Sequence, residues 1–164
     1  MRRLGPILAA TAVAAFVAGC NKSQPSAPSG GTPAAPAPAM SDADKAKALA
    51  ALPAPYNTAD IANGEAKYAL CQSCHTLAQG GANMTGPNLY GIFGTKAGEG
   101  HNDFKFSDQL KAAGIVWTPE KMDPWITKPQ DVVPGSKMTF AGLADAKDRS
   151  DLIAYLMVMT GYKP

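Results

Sequence analysis

The stretch YALCQSCHTLAQGG, Tyr68 to Gly81, places two cysteines and a histidine within five positions. The whole chain has 164 residues but only three cysteines and two histidines, so most of these reactive groups meet here. Three chemistries use C-x-x-C. A redox dithiol is expected beside a βαβ pattern, and the chain shows none. A zinc site needs a second pair of ligands, and after His75 the other candidate is His101. The third is covalent haem attachment, whose signature is C-x-x-C-H, matched by Cys71-Gln72-Ser73-Cys74-His75. In that chemistry both thiols add across porphyrin vinyl groups as thioethers, and the adjacent imidazole reaches the iron. The stretch therefore predicts one covalently attached haem c.

The sequence around this motif reads as helix and loop. Hydrophobic spacing is helical, and no run alternates as a strand does. Thr58 or Asp60 starts a helix that runs to about Leu70, and Ser107 starts another that Gly114 ends. Thr118, Pro119 and Glu120 stand in the favoured order for a helix start, with Pro124 awkwardly inside the helix that follows. Asp145 or Asp148 caps the last helix, where Leu152, Tyr155, Leu156 and Met159 mark one face and Gly161 closes it. Gly- and Pro-rich loops separate these short helices. So thin a core is expected to contain a metal, disulfides or a cofactor.

The N-terminus differs in kind. MRRLGPILAATAVAAFVAGC has two arginines, a short apolar run and small residues, the pattern of a secretory signal over 1–19. Val17-Ala18-Gly19-Cys20 resembles the lipobox of bacterial lipoproteins, which implies lipidation of Cys20. An ordinary cleaved signal or an uncleaved anchor is the alternative. From Cys20 to Pro55 the chain is rich in Pro, Ala, Ser and Gly, and reads as a disordered linker. SDADKAKALAAL, Ser41 to Leu52, can form a short helix there, capped by Ser41 and stopped by Pro53, but is assigned to the linker. As a random coil it would reach roughly 30–35 Å. The folded domain is then 56–164. Export agrees with covalent haem, which is attached outside the cytoplasm.

A second axial ligand has to come from elsewhere in the chain. Of the seven methionines, Met1 is lost, Met40 falls in the linker, Met122, Met157 and Met159 in helices, and Met84 close behind the attachment motif. Met138, in VVPGSKMTFAG, follows a Pro-Gly turn that can present a side chain about 60 residues after His75. His101 is its rival, although a histidine between Gly100 and Asn102 also reads as a solvated loop residue.

From Gly64 to Tyr155 the chain resembles class I cytochrome c of the mitochondrial type. The matching words are CQSCHT, TGPNLYGIFG, GIVW, VPGSKMTFAG and DRSDLIAYL. The resemblance implies an all-α haem fold, with Cys71 and Cys74 holding the haem, His75 proximal and Met138 distal. It implies that Pro87 offers its carbonyl to the His75 ring and that Trp117 donates its indole N–H to a haem propionate. It further implies that Gly64 lets the first helix cross the last against Tyr155. Ser136 and Phe140 match a hydroxyl and an aromatic near the distal side. The chain departs from the family at Thr95, where an arginine is usual, and at Phe106 and Trp125, where tyrosines are usual.

The family's basic docking ring is also absent. Ten basic and eleven acidic residues lie between Tyr56 and Pro164, and Lys96, Lys128 and Lys137 are scattered. No nucleic-acid partner is expected. The resemblance implies a one-electron carrier rather than an enzyme, serving respiratory or photosynthetic complexes. A quinol–cytochrome c reductase would be its donor and a terminal oxidase or other reductase its acceptor. With Cys20 lipidated, it would sit on the periplasmic side of the cell membrane, the outer membrane being a further possibility. Two other readings are a haem peroxidase or gas-binding protein that vacates the Met138 position, and an electron-entry partner dedicated to one periplasmic dehydrogenase.

Overall fold

The computed structural model describes residues 40–101 and 103–164. The expected signal peptide, Cys20 and the linker as far as residue 39 lie outside the described residues. Six α-helices follow in order: α1 (Asp42–Ala50), α2 (Ile61–Tyr68), α3 (Asp108–Ala112), α4 (Pro119–Thr127), α5 (Pro129–Val132) and α6 (Ala146–Met159), with a 3-10 turn at Tyr56–Thr58. Among the described residues there is no strand, only an isolated antiparallel bridge between Lys96 and Val116. The fold class is all-α, as the sequence predicts.

Local chemistry sets the helix starts. The Asp60 carboxylate accepts from Ala62 N and Asn63 N, Ser107 Oγ from Leu110 N, Thr118 Oγ1 from Lys121 N, and Asp145 from Asp148 N. Each such cap stabilises its helix by about 1 kcal/mol. Pro124 does lie inside α4, where it removes one N–H from the helical ladder. Arg149 secures this region to α6, with Nε on Asp123 at 2.8 Å and a guanidinium nitrogen on the carbonyls of Leu143 and Ala144.

The core is built on α6, buried from Asp151 to Val158. Helix α2 crosses it at Gly64, where an added Cβ would strike the Asp151 carbonyl and lie 2.7 Å from Tyr155 Cβ. Asp151 fastens the crossing. Its carboxylate accepts from Asp60 N at 3.0 Å and Asn63 Nδ2 at 2.8 Å, and pairs with Lys147.

The linker expected to extend to Pro55 stops earlier. Helix α1 packs on the domain through Ala48 and Leu49, Leu52 joins the buried core, and Lys45 reaches Glu65 on α2 at 3.0 Å. The polar, alanine-rich sequence of α1 conceals this docking, since its few apolar groups acquire meaning only against α6.

Asp151 is 2% exposed. Burial alone would raise its pKa, but the hydrogen bonds from Lys147, Asn63 and the Asp60 backbone outweigh it and hold the carboxyl below the usual range. A depressed folded pKa stabilises above the unfolded value, and that stability is lost as pH falls through the folded value. Asp151→Asn should therefore cost about 1–3 kcal/mol near neutrality. In urea titrations of the holoprotein, the gap between parent and variant should shrink below about pH 4.

Candidate functional site

Helix α2 delivers the motif. Beyond Tyr68 the chain winds on in a tight turn, with Cys74 N and His75 N both donating to the Cys71 carbonyl at 3.0 Å. This brings Cys71, Cys74 and His75 to one apolar cleft of about 270 Å³. Both thiols are free rather than joined in a disulfide. Burial, and then the neighbouring Cys74, push the Cys71 thiol up to about 11. That is the reverse of the lowered pKa of a redox dithiol.

The imidazole is held on several sides. His75 Nδ1 lies 2.7 Å from the Pro87 carbonyl. A carbonyl can only accept, so Nδ1 carries the proton and Nε2 keeps its lone pair. Burial lowers the His75 pKa against this hydrogen bond, favouring the neutral ring. Tyr68 donates its hydroxyl to the His75 carbonyl at 2.6 Å. Burial pushes that phenol up to about 12, so it remains a donor. Gly86 leaves no room for a side chain, because a Cβ there would fall against the His75 ring.

Met138 reaches the same cleft from the loop that precedes α6, with Ser136, Lys137 and Phe140. A residue not singled out in the sequence organises this loop. Gln130 Nε2 lies 2.7 Å from the Met138 carbonyl, 2.9 Å from the Ser136 carbonyl and 3.0 Å from Ser136 Oγ, while its Oε1 accepts from Gly135 N. Nothing in the local pattern of α5 announces this, since the partners are fixed only when the loop folds back.

Trp117 and Trp125 also line the cleft, with ring centres 5.2 Å apart, and so do Phe106 and the buried Met122. His101 does not reach its wall; its ring lies against Phe106 and its Nε2 is buried without a hydrogen-bond partner. Thr95 turns its hydroxyl onto the Ile92 carbonyl at 2.7 Å and is also absent from the lining. A shallower groove of about 520 Å³ beside α3 and α4 contains none of the predicted site residues.

Two thiols and a neutral imidazole in the spacing for thioether attachment, beside an apolar cleft with a thioether side chain, fit a covalent haem. They define the class of small all-α haem proteins. The Cytochrome c family matches residues 61–160, and the chain belongs to that family. Its members bind one covalently attached haem c, the cofactor of this chain. The chain is 39% identical over 108 residues to cytochrome c2 of Agrobacterium tumefaciens, covering 64% of this chain and 96% of that one. It is 43% identical over 99 residues to a cytochrome c homolog of Bradyrhizobium diazoefficiens, covering 60% of this chain and 54% of that one. The chain thus spans about half the length of this second relative. Among solved structures, cytochrome cH from Methylobacterium extorquens is 43% identical with a TM-score of 0.55, covering 59% of this chain and 96% of that one. Such cytochromes are electron carriers rather than enzymes in the usual sense, and electron transfer is the function of this chain. Helix α1 precedes the matched residues.

The packing of Gly86 gives a direct test. Gly86→Val should displace the His75 ring while leaving both thiols in place. The haem should remain covalently bound after acid-acetone extraction, but the low-spin optical spectrum should be lost.

Proposed function

We propose that this chain is a one-electron carrier tethered by lipid on the periplasmic side of the cell membrane, taking electrons from a quinol-oxidising complex and delivering them to a terminal oxidase or reductase. The observation that carries the reading is the convergence of Cys71, Cys74, His75 and Met138 on one cleft. Cys71 and Cys74 would hold the haem, and His75 Nε2 and Met138 Sδ would be the ligands offered to its iron. When bound, the haem supplies reversible one-electron exchange at iron. Pro87 fixes the His75 tautomer and raises the basicity of its free nitrogen. Gln130 holds the Met138 loop in place. Trp117, in the lining, would offer its indole N–H to a propionate. With both ligand residues held by their neighbours, little rearrangement accompanies a change of charge.

The lining favours a carrier over a peroxidase. Among the described residues no carboxylate faces the cleft, and the ammonium of Lys137, the lining residue next to Met138, is held on the Lys105 carbonyl. Support for the tether comes from the signal-like N-terminus and from Cys20. Among the described residues no helix is long and apolar enough to cross a membrane. Since α1 packs on the domain, the tether ends near Ser41.

Met138→Ala should abolish the weak near-infrared sulfur-to-iron band of the oxidised protein and lower its potential, since a thioether favours ferrous iron. Carbon monoxide binding and peroxidase turnover, slow in the parent, should rise. Rapid carbon monoxide binding and fast peroxide turnover by the parent would instead make the protein an enzyme.

Cys20→Ser should release the holoprotein from the membrane fraction or block its processing. A mature protein with an unmodified N-terminus elsewhere in the chain would refute the anchor.

A further inference from the structure

The rim of the cleft is unusual in its charge. No Asp, Glu, Lys or Arg occurs from Tyr68 to Thr95, the stretch that carries Leu70, Cys71, Cys74, His75 and Thr85 into the lining. None occurs from Met138 to Ala144 either, the stretch that carries Met138, Thr139 and Phe140. Lys137 alone among the lining residues bears a cationic side chain, and its ammonium donates to the Lys105 carbonyl at 2.7 Å. The lysines that flank the first stretch are paired with carboxylates, Lys67 with Asp148 at 2.7 Å and Lys96 with Glu99 at 3.7 Å, as is Lys128 with Asp131 at 2.9 Å, while Lys105 stands exposed on the opposite side between the lining residues Phe104 and Phe106.

Large apolar groups stand exposed at the same rim. Leu70 is 55% exposed and lines the cleft. Met84 is 48% exposed. It is held at the edge because Met84 N donates to the Gly86 carbonyl and Gly86 N to the Cys74 carbonyl, both at 2.8 Å. Val116, at 44%, is the other large apolar side chain exposed among the described residues, and it is not part of the lining. Isolated apolar residues on a surface need no explanation, but two on one uncharged rim beside a redox cleft mark a contact surface.

We infer that the cleft rim, centred on Leu70 and Met84, is the electron-exchange surface and that it docks onto an uncharged, apolar patch of a redox protein. The inference rests on the carrier reading and adds the chemistry of recognition. Where the rim carries Leu70 and Met84 it has no charged residue from Tyr68 to Thr95, so this sector has little with which to steer a charged partner, and encounter there depends on desolvating Leu70 and Met84. Steered association gains 10- to 1,000-fold in rate and declines steeply with salt; contact of this kind does neither.

A second copy of the holoprotein presents the required patch and serves as the probe. In self-exchange, a reduced copy passes one electron to an oxidised copy, and NMR exchange broadening reads the rate. Between about 20 mM and about 500 mM salt the parent rate should change by less than about threefold. Leu70→Lys/Met84→Lys should slow exchange at least about tenfold at low salt, with recovery at high salt, because like charges then face each other. Leu70→Gln/Met84→Gln should slow it without introducing salt dependence, and Val116→Lys should leave it unchanged. Independently of electron transfer, the Leu70 and Met84 methyl resonances should shift with protein concentration. Fast parental exchange with a steep salt dependence, or a lysine double variant that behaves as the parent, overturns the uncharged surface alone. Methyl shifts that appear only with neutral phosphatidylcholine vesicles assign the rim to a lipid surface and overturn it too. A parent with no exchange at either salt refutes the carrier reading beneath it.

Discussion

The close crossing of α2 over α6 at Gly64 is the constraint on which the rest depends. A side chain at this position would meet the Asp151 carbonyl and Tyr155 Cβ, so the helices could not reach their observed separation. Because α2 runs directly into the attachment motif, any shift at Gly64 propagates to Cys71 and His75. The link is physical. Tyr155 on α6 packs on Tyr68 with ring centres 5.8 Å apart, and the Tyr68 hydroxyl bonds to the His75 carbonyl. Asp151 secures the N-terminal end of the same crossing through Asp60 and Asn63. One glycine, one tyrosine pair and one buried carboxylate thereby connect the scaffold to the redox site.

Among the described residues between α2 and α3 there is no helix or strand, so their backbone polar groups need other partners. Asn88 supplies several of them. Its side chain donates to Thr76 Oγ1 and the Ala78 carbonyl and accepts from Tyr90 N, while its own N–H donates to Asn83 Oδ1. These bonds shape the loop that holds Pro87 against His75. The remaining requirement is apolar. Tryptophan, phenylalanine, leucine and methionine side chains line the cleft, and the haem completes a core that a domain of this size could not close alone.

Features encoded within a few residues were legible in the sequence. The caps at Ser107 and Thr118, and those at Asp60 and Asp145, each one of two candidates, depend on one side chain and its own helix, and C-x-x-C-H has a spacing that few chemistries share. Met138 was legible as a loop methionine after a Pro-Gly turn, and the structure brings it to the cleft. Long-range partners were not legible. Gln130 carries no pattern that marks it as the anchor of the Met138 loop. Helix α1 looked like linker because its docking needs only Ala48, Leu49 and Leu52, too few apolar groups to rise above an alanine-rich background. Met122 was read only as a residue within a helix, which it is, yet its helix also turns it into the cleft wall.

The uncharged rim and the tether, taken as proposed, explain each other. A carrier that diffuses freely must find its partner in three dimensions, and complementary charge raises the rate of productive encounter. A carrier held on the membrane beside its partners already has a high effective concentration, set by tether length rather than by attraction. Steering then adds little, and strong charge pairing would slow release after the electron has passed. Under that constraint lysines around the cleft lose their advantage, and they can be paired internally, as Lys67, Lys96 and Lys128 are. Leu70 and Met84 retain enough apolar surface to orient a brief contact. The docking of α1 contributes to the same economy, since a tether joined to a packed helix restricts how the domain can turn its rim toward the membrane complexes.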